Sequence, residues 1–451
     1  MFDVIVVGAR CAGSPTAMLL ARQGHNVLLV DRASFPSDKP TSTHLVHPPG
    51  VARVRDWGLL EELLASNCPP IRDYGLKTGP VDLMAPLPAY DGVDVAYAPR
   101  RYILDDILVR AAVRAGVELR EQVSVTGLLR ERDRVVGITG KTHDGATFSD
   151  RASLVIGADG TNSRIARLVG AREYRTRAPY LSSYWTYWDG LDVTQVPSWR
   201  DEQSYGFAWP TNDGLVLAGV AWPTARFAEL DRADPAIPFF GALERMDPAF
   251  AEKVHDAQQA DRWLSGSVPN FFRESHGPGW ALVGDASFSR DPCTATGITE
   301  SLRGADLLAE EVNRALAGEV PMNRALTSYE VRRNAISLPF YEYTCDFASL
   351  RPYSPDVLQL MAAAADDPEQ ASALTGLFAQ TTSPESFFSM ENIRRILFGP
   401  QRDTITNWRL RTMRTLLSNR LPLAAARTRI AGPVVRSRLG QLGEYLEAVA
   451  V

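Results

Sequence analysis

The first thirty residues contain two continuous apolar runs separated by a stretch with helical periodicity. Residues 3–7 and 26–30 lack the alternation of a half-exposed strand, so they predict strands buried on both faces of a parallel sheet. Residues 14–23 carry apolar side chains three and four positions apart, which predicts a helix that ends at Gly24. The pattern indicates a strand–helix–strand unit.

The turn between the first strand and the helix is framed by glycines, and an acid follows the second strand. Gly8 permits a tight turn, and Gly13 allows the helix to pack closely on the strand. The helix N-terminus offers free amides to a pyrophosphate, and Asp31, 18 residues after Gly13, can accept hydrogen bonds from ribose hydroxyls. Arg10 replaces a second glycine, and its side chain either contacts phosphates or points to solvent. The unit predicts nucleotide binding, with an ordinary packing turn as the alternative.

Two later segments repeat the arrangement of an apolar strand followed by glycine and aspartate. Residues 154–156 lead to Asp159, and residues 281–283 lead to Asp285, after which residues 298–317 show helical periodicity. Each acid stands where open α/β sheets place their ligands, although either one alone could be a helix cap or a turn residue. Three such strand ends predict one extended ligand that crosses the edge of the sheet.

Residues 176–264 change to short alternating runs separated by turn residues, which predicts an antiparallel sheet. Residues 211–214, with the sequence Thr-Asn-Asp-Gly, lie between two such runs and predict a hairpin. Ten aromatic side chains fall between Tyr180 and Trp222, whereas aromatic residues make up 9% of the chain. A half-buried antiparallel sheet favours aromatic residues in any case, so a structural role competes with a binding role for each of them.

Composition narrows the class of protein. The chain has 451 residues, of which 45% are hydrophobic and 22% charged, and this excludes disordered and collagen-like chains. A net charge of −5 provides no basic field for nucleic acid. The four cysteines are far apart and predict neither a disulfide framework nor a zinc site. Since no apolar run reaches the roughly 18 residues of a membrane helix and no signal peptide is expected, we expect a reduced, cytoplasmic protein without membrane association.

Residues 346–451 predict helices. From Met390 onward the chain holds 11 arginines against four acids. Such a segment is either the solvated face of helices that pack on the parent domain or an amphipathic tail that binds a membrane surface or a partner.

The N-terminal fingerprint, the sequence Gly-Ala-Asp-Gly at residues 157–160, and Gly284-Asp285 with Pro292 and Gly297 occur in this order. In this combination the chain resembles the flavoprotein monooxygenases of the para-hydroxybenzoate hydroxylase type over about its first 345 residues. The resemblance implies an α/β fold, with a Rossmann-like FAD-binding parallel sheet, an inserted antiparallel-sheet substrate domain and a helical C-terminal region. The implied domains are an FAD-binding domain (1–75, 95–175 and 265–345), a substrate-binding sheet domain (76–94 and 176–264) and the C-terminal region (346–451).

The resemblance also implies which residues bind FAD. Asp31 would hold the adenosine ribose and Asp285 the ribityl chain, and the helix after Gly297 would direct its N-terminus at the flavin, where it stabilises negative charge. Arg101 begins a predicted helix and would face the phosphates or the ribityl chain, with Arg100 as the alternative. The implied cofactor-binding residues are Gly8, Arg10, Cys11, Ala12, Gly13, Asp31, Arg32, Arg101, Asp159, Gly284, Asp285, Pro292, Gly297 and Ile298.

The same resemblance places the aromatic sheet over the flavin, so part of it should line an apolar pocket for an aromatic or polycyclic substrate. His44 lies in a loop that returns beside the ring system in related flavoproteins. It is the candidate acid/base or substrate-anchoring residue, with an ordinary loop histidine as the alternative. His47 is three positions away, but without further His or Cys neighbours the pair predicts no metal site. The predicted pocket residues are Tyr184, Tyr187, Phe207 and Trp209.

By this resemblance NAD(P)H, a transient co-substrate, reduces FAD, O2 adds at flavin C4a, and the hydroperoxide hydroxylates or epoxidises a hydrophobic small molecule such as a natural-product intermediate. Three features depart from the family: Arg10, the residues Ser287-Phe288, and the glycine-poor turn before Gly297. With Asp38-Lys39, they are similar to the geranylgeranyl reductase branch, which saturates prenyl chains with reduced FAD.

The flavin halogenases share the scaffold, but their Trp-x-Trp-x-Ile-Pro signature is absent, because residues 205–210 read Tyr-Gly-Phe-Ala-Trp-Pro. We therefore predict a monooxygenase, with the reductase and then the halogenase as alternatives. A flavin-binding accessory protein is the non-enzymatic alternative, and nothing in the sequence predicts an oligomeric state.

Overall fold

A computed structural model describes residues 1–230 and 233–399. Within these ranges the strands are β1 (Phe2–Val7), β2 (Val27–Val30), β3 (Asp73–Thr78), β4 (Val81–Pro86), β5 (Glu118–Arg120), β6 (Val123–Glu131), β7 (Arg134–Thr142), β8 (Thr147–Gly157), β9 (Glu173–Arg177), β10 (Leu181–Asp189), β11 (Ser198–Arg200), β12 (Tyr205–Pro210), β13 (Val216–Pro223), β14 (Gln258–Gln259), β15 (Leu264–Ser267), β16 (Asn270–Arg273), β17 (His276–Gly277), β18 (Trp280–Leu282) and β19 (Phe288–Ser289).

The helices are α1 (Gly13–Arg22), α2 (Pro48–Asp56), α3 (Leu60–Leu64), α4 (Arg101–Arg114), α5 (Arg164–Val169), α6 (Thr224–Phe227), α7 (Ala236–Met246), α8 (Pro248–Asp256), α9 (Gly297–Leu316), α10 (Met322–Ala348), α11 (Pro355–Ala365), α12 (Pro368–Ala379), α13 (Pro384–Phe387) and α14 (Met390–Phe398). Three single 3₁₀ turns cover Asn212–Gly214, Gly284–Ala286 and Pro292–Thr294. Among the described helices, none is both long and apolar enough to cross a membrane.

The first sheet has a parallel core, as expected from strands that are apolar on both faces. Its order is β17–β18–β8–β1–β2–β5, and the hairpin β6–β7 joins it through β8. In register, Val4 of β1 lies opposite Val27 and Leu154, and Ala281 of β18 lies opposite Ile156. Side chains of α1, α4 and α9 share one hydrophobic core with this sheet. The predicted α/β fold with a parallel sheet is confirmed.

The second sheet is mainly antiparallel, with the order β14–β10–β13–β12–β11–β3–β4 and β15 beside β10. The hairpin predicted at residues 211–214 connects β12 to β13, and Asp213 there has a φ of 64°. Its strands begin at Asp73 and end at Ser267, a few residues outside the predicted limits of 76 and 264. A third, small sheet has the strand order β19–β16–β9, and its strands come from residues 173–177, 270–273 and 288–289.

The two faces of the second sheet carry different cores because neighbouring side chains on a strand point in opposite directions. On β10, Trp185 and Tyr187 face a core that includes the C-terminal helices. Tyr184 and Trp188 face the opposite core, which includes side chains of α7 and α8. The strand is therefore buried on both sides, which explains its continuous aromatic and apolar content.

The C-terminal region packs on the second sheet. Side chains of α11, α12 and α14 belong to the same core as those of β3 and β4. The boundary predicted between residues 345 and 346 falls inside α10, which continues from Met322 to Ala348. Residues 400–451, which hold most of the predicted arginine-rich segment, lie outside the described residues.

Candidate active site

Two of the glycines in the N-terminal fingerprint pack so closely that no side chain fits. Gly8 has a φ of +106°, and a Cβ there would lie 2.5 Å from the carbonyl oxygen of Ala158. A Cβ on Gly13 would lie 1.7 Å from the carbonyl oxygen of Gly8. The first motif therefore packs directly on the second, Gly-Ala-Asp-Gly, and this close approach requires glycine at both positions.

The third motif joins the same point at the edge of the sheet. Gly284 has a φ of +60°, and a Cβ there would lie 2.7 Å from the Cβ of Ala12. The amide of Val283 donates a hydrogen bond to the carbonyl oxygen of Gly157 (3.0 Å). The three strand ends predicted to share one ligand thus lie side by side.

Solvent exposure marks a line of residues along this edge. Between Trp280 and Ala305 nearly every residue is buried, and the exposed ones are Asp285, Pro292 and Gly297. The Ile298 side chain packs into the core, so only its backbone can face the edge. The exposed positions are the ones that the resemblance places against FAD.

Asp285 is exposed, yet it sits in a concave region crowded by protein atoms. Thr161 Oγ1 donates a weak hydrogen bond to its Oδ2 (3.4 Å). Burial by the surrounding protein raises the pKa of the Asp285 carboxyl, and the charge of Arg101 opposes this shift. Arg101 therefore acts on Asp285 across the cleft. The alternative residue, Arg100, stacks on the Tyr187 ring, with its guanidinium carbon 4.0 Å from the ring centroid.

Four cations gather beside the glycine turn. Burial lowers the pKa of Lys39, and the nearby charges of Arg10, Arg101 and Arg32 lower it further. Cationic side chains at the N-terminus of a helix form a favourable site for a diphosphate. Together with the glycine turn and the exposed line, these residues fit a dinucleotide with a diphosphate in its middle, as FAD has.

A buried carboxylate that the sequence analysis missed organises this cluster. Asp105 Oδ2 accepts a hydrogen bond from Arg10 Nη1 at 2.5 Å, and Asp105 Oδ1 accepts from Arg101 Nη2 at 2.9 Å. The Cys11 thiol donates to the same carboxylate (3.2 Å), and burial raises the pKa of that thiol. Asp105 lies one turn after Arg101 on α4, on a face that is otherwise mostly apolar. An acid at such a position could have indicated a buried ion pair.

The other two predicted acids are engaged by the protein itself. Asp31 accepts from the amides of Ala9 (2.7 Å) and Ala33 (2.8 Å), which ties the end of β2 to the glycine turn. Asp159 accepts from Ser163 Oγ (2.5 Å) and from the amide of Arg164 (2.6 Å) at the start of α5. Asp159 thus caps the start of α5, and a contact between this carboxylate and a cofactor stays a prediction.

His44 and Tyr187 form a buried pair. His44 Nε2 is hydrogen-bonded to the Tyr187 hydroxyl at 2.6 Å, and the two rings are parallel. His44 Nδ1 is buried and has no hydrogen-bond partner among the described residues. Burial and the charges of Arg100 and Arg101 hold the pKa of His44 well below its usual value, and burial raises the pKa of Tyr187. Both groups are therefore neutral near pH 7.

His47 is fixed in a different way. Its Nε2 must donate to the carbonyl oxygen of Thr294 (3.0 Å), so its Nδ1 accepts from the Tyr74 hydroxyl (2.7 Å). Burial lowers the pKa of His47 to about 4. This histidine joins α2 to the turn before α9, and the described residues hold no cluster of His, Cys, Asp and Glu that could bind a metal.

A narrow cavity of about 20 Å³, room for about one water molecule, lies between the turn at residues 293–295, the second sheet and helix α12. Its aromatic lining includes Trp209, Tyr205 and Phe378. Phe207 stacks behind Trp209, with ring centroids 5.0 Å apart. Tyr184 instead lies on the opposite face of the sheet, against Phe227 and Trp222. That placement argues against Tyr184 as a pocket residue, because alternation along β10 turns it away from the cavity.

The polar side chains of the cavity wall are already hydrogen-bonded to the protein. Among the described residues that line it, no side chain carries a formal charge. The wall thus offers apolar surface and few open hydrogen-bonding groups. Ser198 Oγ donates to Gly75 O (2.6 Å), Thr375 Oγ1 to Ser372 O (2.8 Å), and Trp209 Nε1 to Thr43 O (3.0 Å).

Comparison with known proteins identifies the family. Residues 1–340 match the family model described as an FAD binding domain. The chain belongs to this family. The cleft described above has the features expected of an FAD-binding domain. The protein is an FAD-dependent oxidoreductase.

Two curated proteins and one solved structure illustrate the similarity. Digeranylgeranylglycerophospholipid reductase 1 of Methanococcoides burtonii is 27% identical over 343 residues, which cover 73% of this chain and 79% of that protein. Menaquinone reductase of Mycobacterium tuberculosis is 31% identical over 325 residues, 68% of this chain and 76% of that protein. The flavin-dependent brominase Bmp2 has a TM-score of 0.74 at 18% identity, covering 89% of this chain and 100% of that one, a similarity of fold.

Proposed function

We propose that the protein is a monooxygenase that takes two electrons from NAD(P)H and inserts one atom of O2 into an aromatic or polycyclic apolar small molecule. The balance is substrate plus O2, NAD(P)H and one proton, giving hydroxylated or epoxidised substrate, water and NAD(P)⁺. One observation carries the proposal: an uncharged, aromatic-lined cavity, whose walls would have to move apart to admit a substrate, adjoins the turn that carries Pro292, beside the cleft that fits FAD. Bound FAD would supply the redox chemistry at that junction.

The residues of the cleft bind and orient the cofactor in this proposal. Arg10 and Arg101 would neutralise the diphosphate, and Asp285 would accept hydrogen bonds from the ribityl hydroxyls. The start of α9, next to the exposed Gly297, places a positive dipole end beside the ring system. Pro292 would lie on the side of the ring system, and the next residues of the same turn line the apolar cavity.

The cavity residues orient the substrate and exclude water. Trp209 and Tyr205 would provide flat apolar surfaces, and Trp209 Nε1 is directed into the protein, where it donates to Thr43 O. His44 and Tyr187 lie on the same side of the sheet as Trp209 and are both neutral near pH 7.

Reduction of a carbon–carbon double bond is the second candidate. The observation that favours it is that the two curated relatives reported above are reductases and align with more than two thirds of this chain. In that reaction hydride and a proton add across the double bond, and NAD(P)H is oxidised to NAD(P)⁺ without oxygen.

Isotopes separate the two reactions. The FAD-loaded protein is incubated with NAD(P)H and a panel of aromatic and polyene compounds under ¹⁸O2, and in parallel without oxygen in D2O. A product heavier by one ¹⁸O supports oxygenation, whereas an anaerobic product with added deuterium supports reduction and overturns the first proposal.

A matched pair of tryptophan variants ties the reaction to the cavity. Trp209→Ala opens the cavity to water, so we expect NAD(P)H consumption to exceed product formation at least tenfold. Trp222→Ala, on the other face of the same sheet, removes an equally buried side chain and should leave that ratio unchanged. Equal ratios in both variants would place the substrate elsewhere.

A further inference from the structure

Three charged side chains, Arg290, Glu300 and Arg303, are buried together at the start of α9 and form what we call the α9 cluster. Arg290 Nη2 donates to Glu300 Oε1 at 3.0 Å, and Arg303 Nη1 donates to the same oxygen at 3.1 Å. Glu300 also accepts from Gln380 Nε2 (2.6 Å) and from Ser337 Oγ (3.0 Å). Two guanidinium groups thus share one carboxylate, so the cluster has a net positive charge.

The charges of the cluster are not balanced by its nearest further acid. Burial by itself would raise the pKa of Glu300, but the charges of Arg303 and Arg290 overcome this effect and hold that pKa below its usual value. The carboxylate of Asp291, the residue next to Arg290, is hydrogen-bonded instead to the amides of Leu181 (3.0 Å) and Cys293 (3.2 Å). Arg290 Nη1 is buried and has no hydrogen-bond partner among the described residues.

Arg290 also holds the residue that precedes α9. Thr296 Oγ1 accepts from Arg290 Nε (3.1 Å) and Nη2 (2.5 Å). A threonine at this position commonly caps a helix by accepting from its first amides, but the Thr296 side chain makes no such hydrogen bond. It therefore leaves the first amides of α9, beside the exposed Gly297, available to a bound group.

The charge of Arg290 acts on both sides of the turn at residues 292–296. On the side of the cleft, burial raises the pKa of Asp285, and Arg290 is among the cations that oppose this shift. On the side of the protein, burial lowers the pKa of His47, and the charge of Arg290 lowers it further. The field of the cluster thus reaches the exposed line of residues at which the cleft fits FAD.

We propose that Arg290 is a positioning residue that raises the reduction potential of bound FAD. It keeps the Thr296 hydroxyl away from the first amides of α9 and places the excess positive charge of the cluster behind them. Transfer of a hydride from a donor such as NAD(P)H adds two electrons and one proton to FAD, which leaves one negative charge on the ring system and oxidises the donor to NAD(P)⁺. Positive charge and free amides stabilise that product more than the neutral oxidised ring.

Midpoint potentials of the FAD-loaded variants test the proposal without substrate or turnover. The protein is reduced slowly by xanthine and xanthine oxidase without oxygen, and the absorbances of the flavin and of a reference dye of known potential are recorded together. Arg290→Met removes the charge at a similar side-chain volume. We expect binding of reduced FAD to weaken at least tenfold relative to oxidised FAD, which for a two-electron couple is a potential lower by about 30 mV or more.

Glu300→Gln should shift the potential in the opposite direction. This variant removes the negative charge of the cluster and keeps the shape of the side chain, and the new amide can donate to Ser337 Oγ, which now donates to the carboxylate. We expect the potential to rise by about 30 mV or more. Damage to the structure would not move the two variants in opposite directions.

Arg290→Lys and Arg314→Met are the controls. Lysine keeps the charge, so the potential of Arg290→Lys should lie closer to the wild type than that of Arg290→Met. Arg314 lies near the other end of α9, about 25 Å from Gly297 along the helix axis, and removing its charge should leave the potential unchanged.

An unchanged potential in Arg290→Met, or shifts of the same sign in Arg290→Met and Glu300→Gln, would overturn the inference. Equal shifts in Arg290→Met and Arg290→Lys would also overturn it, because the charge would then not be the cause. If Arg290→Met does not retain FAD, Glu300→Gln decides: a raised potential supports the inference, and an unchanged or lower one contradicts it. Loss of FAD from all three variants would show a purely structural role and would contradict it as well.

Discussion

Arg10 and Asp105 are 95 positions apart in the chain, and their side chains form an ion pair with Nη1 and Oδ2 2.5 Å apart. Arg101 pairs with the same carboxylate, which is completely buried. One negative charge thus balances two guanidinium groups, and a net positive charge remains beside the glycine turn. An anionic diphosphate would compensate that excess, which would explain why arginine stands at position 10 in place of glycine.

Asp105→Asn should therefore destabilise the flavin-free protein more than the FAD-loaded protein. Removing one partner of a buried ion pair costs about 3 kcal/mol or more, and bound diphosphate can take over the role of the carboxylate. Thermal unfolding of both forms measures the difference. Equal losses of stability with and without FAD would show that the arginines do not face the cofactor.

Gly13→Ala should abolish FAD binding and lower stability. The added Cβ would lie 1.7 Å from the carbonyl oxygen of Gly8, so the turn must move, and such overpacking costs about 3 kcal/mol. Gly241→Ala is the control, since nothing lies within 4 Å of its Cβ and it stands in α7. There alanine should stabilise the helix by about 0.5–1 kcal/mol. FAD content per chain after desalting distinguishes the two variants.

Acidification should weaken the junction between α2 and the turn before α9 through His47. Its pKa falls from 6.5 to about 4 on folding because of burial. Between these values the unfolded chain binds a proton that the folded chain excludes. Stability is therefore full above pH 6.5 and decreases by about 3 kcal/mol as the pH falls to 4. Urea unfolding of His47→Gln should show a smaller pH slope than the wild type. An equal slope, or the same change in the exposed His143→Gln, would contradict this assignment.

Tyr187→Phe should leave both ring nitrogens of His44 without a described hydrogen-bond partner. An unsatisfied buried polar group costs about 1–3 kcal/mol. We expect that loss in urea unfolding together with a rise in KM that exceeds the change in kcat, because Tyr187 packs in the same core as the cavity residues Tyr205 and Trp209 and is not the source of the redox step. A decrease confined to kcat would instead make the pair part of proton transfer.

The sequence was sufficient to predict the contacts of the cleft that depend on local geometry. Gly8 and Gly13 were predicted from turn sterics, and the structure places a carbonyl oxygen within 2.5 Å or less of a Cβ at each. Asp105 was missed because its importance comes from Arg10, which is far away in sequence. The sequence allowed a cap at Asp159, and the structure adds the partners of its oxygens, Ser163 Oγ and the amide of Arg164.

The cavity was harder to predict because it depends on how the domains pack. Aromatic content identified the second sheet, but which face an aromatic side chain occupies depends on strand register, so the sequence did not show that Tyr184 faces away from the cavity. The sequence around Phe378 did not indicate a pocket residue, because the apolar pattern of a helix does not show which surface the helix covers.

The convergence of three strand ends on one FAD is tested by titrating FAD into the flavin-free protein while flavin fluorescence is recorded. We expect one FAD per chain for the wild type, and at least a hundredfold weaker binding for Asp285→Ala, with Asp213→Ala, at the hairpin of the second sheet, unchanged. Unaltered affinity in Asp285→Ala, or a wild-type chain that does not take up FAD, would contradict the account.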